Sequence, residues 1–103
     1  MQAFKNYIQA HNLTISSLEQ YIPEINRIAK QALRCLSKHG KLVWIGNGGS
    51  AALAQHLSAE LIGEFNIRNR PPYSSIALTT DTSALTAISN DRGYEEIFSR
   101  QIE

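Results

Sequence analysis

The chain is short of most features that tie a protein to a special environment. It has one cysteine, Cys35, so no internal disulfide can form, and its place in an apolar helical pattern reads as a buried thiol in a reducing compartment. No stretch approaches the roughly 18 apolar residues that a membrane-spanning helix needs, and Met1 to Lys5 lack the charged start and apolar core of a leader. There is no run of like charge: ten Lys and Arg stand against nine Asp and Glu, scattered, for a net charge of +1. Without a basic stripe, nucleic acid is not an expected partner. Neither a Gly-Lys-Ser phosphate loop nor a Gly-x-Gly-x-x-Gly fingerprint is present, and there is no internal repeat or low-complexity tract. These absences leave a cytoplasmic, globular protein, and 103 residues allow no more than one domain.

What is present is periodicity. Over residues 23–39 the apolar positions Ile25, Ile28, Ala29, Ala32, Leu33 and Leu36 recur at three and four, one face of an amphipathic helix. Pro23 suits its first turn, and Gly40 the left-handed residue beyond its end. Upstream, Phe4, Tyr7 and Ile8, then Ile15, Leu18 and Tyr21, suggest one or two helical segments broken near His11 and Asn12. Residues 41–46, with Leu42, Val43, Trp44 and Ile45, are too short for a helix and rich in strand formers. Asn47, Gly48 and Gly49 then turn the chain, Ser50 is placed to cap a helix over residues 51–62, and Gly63 closes it. A polar connector with Arg68, Asn69, Arg70, Pro71 and Pro72 leads to a second strand at 75–79. Asp81 caps a short helix through Ile88, with Asn90 and Asp91 at its end, and helical spacing resumes from Tyr94 to Ile102. The order β, α, β, α predicts an α/β protein: N-terminal helices (residues 1–39) followed by a parallel sheet flanked by helices (40–103). Ligands of such sheets bind beyond the carboxyl ends of the strands, which places one at residues 47–50.

Two groups of residues can carry chemistry there. Backbone N–H groups at Asn47, Gly48, Gly49 and Ser50 can gather around a phosphate or a polyol, although a tight turn needs glycine for its own sake. His56 and Glu60, four residues apart, share one helix face. An imidazole nitrogen and a carboxylate oxygen so placed suit zinc, and a carboxylate beside bound substrate can move a proton next to a carbonyl; the same pair reads equally as a solvated surface couple. Asn90 with Asp91, and Asp81, read first as turn and cap residues.

The ordered stretches GNGGSAALAQHLSAE from Gly46 to Glu60, IALTTDTSALTAISND from Ile76 to Asp91 and IFSRQ from Ile97 to Gln101 together resemble the phosphoheptose isomerases, over residues 42–103. The resemblance implies a sugar isomerase (SIS) domain, a flavodoxin-like three-layer fold. It also implies conversion of sedoheptulose 7-phosphate to D-glycero-D-manno-heptose 7-phosphate, for lipopolysaccharide, in a cytoplasmic homotetramer. It assigns Asn47, Gly48, Gly49, Ser50, Asn90 and Asp91 to substrate, His56 and Glu60 to zinc, and proton transfer to Glu60. Glu64 stands where some members have arginine. The family's second phosphate loop and its remaining ligands, a glutamine and a histidine, are not among these 103 residues. The chain is therefore expected to be an N-terminal half, inactive alone. A non-catalytic relative that binds the DNA-replication initiator is the rival, and it lacks a carboxylate at the position of Glu60.

Overall fold

A computed structural model describes all 103 residues. Contacts divide the chain into two compact units, Met1–Arg34 and Cys35–Glu103, and the division falls inside a helix. In the first unit, α1 (Gln2–Ser17) runs unbroken through His11 and Asn12; the interruption comes instead at a 3-10 turn, Leu18–Tyr21, before α2 (Ile22–Ser37). Within α1 the Gln2 amide donates to Asn6 and the Thr14 hydroxyl to the Ala10 carbonyl, so polar side chains are accommodated without a break. On α2, Arg27 and Glu24 pair one turn apart, holding the Glu24 carboxyl below its usual range. The apolar face of α2 has its expected spacing, but Ile25 and Ile28 stay exposed within this chain.

The second unit opens with the end of α2. His39, with φ 60°, rather than Gly40, takes the left-handed position, and the N–H groups of His39 and Gly40 return to Leu36 O and Cys35 O at 3.1 and 2.9 Å. Gly40 is required for a different reason, since a Cβ there would lie 2.5 Å from the Cys35 sulfur. Cys35 itself is half-buried, its thiol 3.6 Å from the Lys41 carbonyl.

β1 (Leu42–Trp44) and β2 (Ser75–Ala77) form a parallel pair in the register Leu42 with Ser75, Val43 with Ile76 and Trp44 with Ala77. Both are shorter than their apolar runs. Between them, α3 (Gly49–Ile62) packs on both strands. Its approach depends on small residues: Ala54 and Ser58, four apart, are 3 % and 5 % exposed. Burying the Ser58 hydroxyl is compensated by a relay in which the Trp44 indole donates to Ser75 at 2.9 Å and Ser75 donates to Ser58 at 3.2 Å. Gly46 brings the end of β1 against the first turn of α3, where a Cβ would sit 2.6 Å from Ser50 O.

α3 starts two residues earlier than its pattern suggests. Gly48 is its N-cap, and Ser50 lies inside the first turn with no capping bond, because the glycine pair itself makes the turn. Gly63 ends it with φ −75°, not left-handed. Asp81 does cap α4 (Thr82–Asp91), accepting from the Ala84 N–H at 2.9 Å. The last segment is not one helix but a 3-10 turn, Tyr94–Glu96, then α5 (Ser99–Ile102), with Ile97 between them 5 % exposed. Gly93, at φ 118°, starts that break.

Candidate functional site

A cleft of about 690 Å³ opens beyond the carboxyl ends of β1 and β2. One wall is the turn Gly46, Asn47, Gly48 with Ala51 of α3; the opposite wall is α4, through Thr86, Ser89 and Asn90. The floor includes Thr79, two residues past β2, and the mouth is closed on one side by Tyr94. Thr86, Ser89 and Asn90 share the wall because they stand at i, i+3 and i+4 of one helix. The Tyr94 phenol donates to the Asn47 side-chain oxygen at 2.6 Å, tying the turn to the segment after α4. With that oxygen engaged, Asn47 presents its amide N–H groups as donors. The Thr79 hydroxyl oxygen is buried with no partner. A buried hydroxyl left unpaired at the floor of a cleft suits a polar ligand.

The structure therefore brings together Asn47, Gly48 and Asn90 from the sequence expectations. Gly49 and Ser50 follow the turn without lining the cleft, and the Ser50 and Ala51 N–H groups are already bonded to the Asn47 carbonyl at 3.0 and 3.3 Å. Asp91 reaches Asn90, whose amide donates to its carboxylate at 3.0 Å. Nearby, Arg92 donates to Glu96 at 2.9 Å, which moves the pKa of its guanidinium further up from its ordinary value. Thr79, Thr86, Ser89 and Tyr94 were not singled out as site residues by sequence. The spacing of Thr86, Ser89 and Asn90 was an available signal; Tyr94 had none, because its partner is 47 positions away.

His56 and Glu60 lie on another face of α3. Their side chains meet at 3.2 Å, with His56 70 % and Glu60 32 % exposed, and neither lines the cleft. Glu60 instead borders a smaller pocket of about 280 Å³ with Glu64, Arg70 and Tyr73. No third His, Cys, Asp or Glu joins the pair. One nitrogen and one oxygen donor on one helix face fit two ligands of a zinc ion; the chain supplies no more.

A parallel α/β unit with a cleft of mixed polar and apolar lining at a glycine turn, at the carboxyl ends of its strands, is a small-molecule binding architecture. The SIS domain family matches residues 6–103, and the chain belongs to that family. It is 48 % identical over its whole length to a phosphoheptose isomerase of Geotalea daltonii, covering 54 % of that protein, and 47 % identical over 92 % of its length to phosphoheptose isomerase 1 of Campylobacter jejuni, covering 50 %. Among solved structures it resembles the phosphoheptose isomerase of Neisseria gonorrhoeae (38 % identity, 96 % of this chain and 53 % of the other, TM-score 0.74). It also resembles that of Francisella tularensis (32 %, 99 % and 55 %, TM-score 0.81). The chain spans about half the length of the curated relatives it matches. No helix is long and apolar enough to cross a membrane.

Proposed function

We propose that this chain carries the sugar-binding turn and the proton-transferring carboxylate of a phosphoheptose isomerase, interconverting sedoheptulose 7-phosphate and D-glycero-D-manno-heptose 7-phosphate. The observation that carries the reading is the cleft itself. The turn Asn47–Gly48 faces Asn90 across it, with a partnerless Thr79 hydroxyl below, so a few polar groups converge in a lining otherwise built by Ala51, Leu85, Ile97 and Phe98, which suits an oriented polyol. Asn47, fixed by Tyr94, offers amide donors to sugar oxygens, and the N–H group of Gly48, at the start of α3, meets an anion or hydroxyl; a part for Gly49 and Ser50 rests on the resemblance. Asn90 binds hydroxyls from the opposite wall, and Asp91, which does not line the cleft, accepts from the Asn90 amide; its own contact with sugar rests on the resemblance.

Aldose/ketose interconversion moves a proton between adjacent carbons through an enediol. Glu60 is the carboxylate to which the resemblance assigns that transfer, accepting the proton from one carbon and returning it to the next; it lies outside the cleft, on another face of α3, so its role rests on the relatives and not on the cleft geometry. His56, 3.2 Å from it, orients it. At a different stage, His56 and Glu60 are also the two donors this chain offers zinc, which when bound would polarise the sugar carbonyl. Assembly as a homotetramer, a cytoplasmic location and a role in lipopolysaccharide heptose synthesis belong to the same proposal and rest on the resemblance to the relatives.

The test is conversion of sedoheptulose 7-phosphate by the protein expressed from its own gene, with zinc, against Glu60→Gln. The variant keeps shape and should lose at least about 100-fold in turnover, the usual contribution of a general base. A loss below about tenfold removes Glu60 from the chemistry. His56→Ala should lower bound zinc, measured by metal analysis.

A further inference from the structure

The connector between α3 and β2 contains a cation with an unusual set of partners. The Arg70 guanidinium donates through Nη1 to the Leu61 carbonyl at 2.9 Å and to the Pro71 carbonyl at 3.2 Å, and through Nη2 to the Glu60 carbonyl at 2.5 Å. It also lies 4.8 Å above the Tyr73 ring, while the Tyr73 N–H reaches the Leu61 carbonyl at 3.1 Å. The last carbonyls of a helix lack partners within it, and a left-handed glycine commonly supplies them from the chain that follows. Here Gly63 is not left-handed and bonds only Ala59 O, at 2.7 Å. The end of α3 is held instead from nine and ten residues downstream. A cation at this end also opposes the partial negative charge of the helix. A planar fork can meet two neighbouring carbonyls at once, which an ammonium cannot do in fixed geometry.

We propose that Arg70 is a positioning residue for Glu60. Glu60 is tied twice: its carbonyl to Arg70 and its carboxylate to His56, on the preceding turn. Losing the first tie lets the final turn of α3 fray, and the carboxylate then moves with its backbone. A reacting group works only within about half an ångström of its place, and displacement by about 1 Å can cost on the order of 100-fold in rate. Arg70 touches no reacting atom in this account; it acts through the helix turn that carries Glu60. The inference rests on the role given above to Glu60.

The experiment measures kcat and KM for sedoheptulose 7-phosphate in the protein expressed from its own gene, for the wild type, Arg70→Gln, Arg70→Lys, Glu60→Gln and the double variant Arg70→Gln/Glu60→Gln. Amide hydrogen exchange at residues 60–63 is followed in parallel. Arg70→Gln should lower kcat about 10- to 100-fold with little change in KM, and speed exchange at the end of α3. Arg70→Lys, which keeps the charge without the fork, should fall between it and the wild type. In the Glu60→Gln background, Arg70→Gln should cause no further loss, since the group it positions is gone. Losses that multiply in the double variant, or an Arg70→Gln protein that melts earlier but turns over normally when folded, overturn the positioning role. Should Arg70→Gln fail to fold, Arg70→Lys and its double variant with Glu60→Gln are read the same way. Full turnover by Glu60→Gln instead removes the assignment of Glu60, and this inference with it.

Discussion

The three glycines at positions 46, 48 and 49 look alike in the sequence, yet replacing each by alanine should have a different sign or size. At Gly46 an added Cβ meets Ser50 O at 2.6 Å, Ser50 C at 2.7 Å and Ser50 Cβ at 2.9 Å. Two of these atoms belong to the backbone of α3, so relief requires strand and helix to separate, and overpacking of this kind costs about 1–3 kcal/mol. Alanine recovers about 0.4–1 kcal/mol by restricting the unfolded chain, leaving a net loss of roughly 1.3 kcal/mol. At Gly48 there is open space, but φ 56° with ψ −124° lies outside the left-handed helical region and costs a side chain about 1–3 kcal/mol, partly offset by the same gain. Gly49 is helical with nothing within 4 Å, so alanine there should stabilise by roughly 0.5 kcal/mol. Urea denaturation reads the series directly. With a slope of about 2 kcal/mol per molar, Gly46→Ala should lower the midpoint by roughly 0.6 M, Gly48→Ala should lower it too, and Gly49→Ala should raise it slightly. A Gly46→Ala protein as stable as the wild type would refute the close strand-to-helix approach on which the cleft's geometry depends.

Removing the Asp81 cap by Asp81→Ala should destabilise by about 1 kcal/mol, and Asp81→Asn by much less, in the same denaturation assay. Ser75→Ala leaves the Trp44 indole without its acceptor and Ser58 without its donor, so a loss of about 1–3 kcal/mol and a changed tryptophan emission are expected; an unchanged spectrum refutes the relay. Tyr94→Phe removes only the 2.6 Å bond to Asn47, at an exposed ring, so stability should change by less than about 1 kcal/mol while KM for sugar phosphate rises several-fold. An unchanged KM would show that Asn47 is oriented without it.

Local chemistry was legible in the sequence wherever neighbours along the chain settle the outcome. The period of α2, the order β1, α3, β2, α4 and the Asp81 cap all follow from spacings of two to four residues or from one side chain meeting its own helix. The family was legible too, because its motifs lie in continuous stretches. Helix ends were less so: His39 rather than Gly40 turns left-handed, and Ser50 sits within α3, since a glycine's role depends on what its missing Cβ would strike. Only the tertiary structure decided that Gly40 yields to the Cys35 sulfur and Gly46 to the Ser50 backbone. It alone joined Tyr94 to Asn47, left the Thr79 hydroxyl without a partner, and set Arg70 across the end of α3. It also placed the His56–Glu60 pair outside the cleft that Asn47 and Asn90 share. The Gly40 and Gly46 contacts are short in sequence but depend on how the chain turns between elements; the others join residues ten or more apart or separate two faces of one helix, which no local pattern encodes.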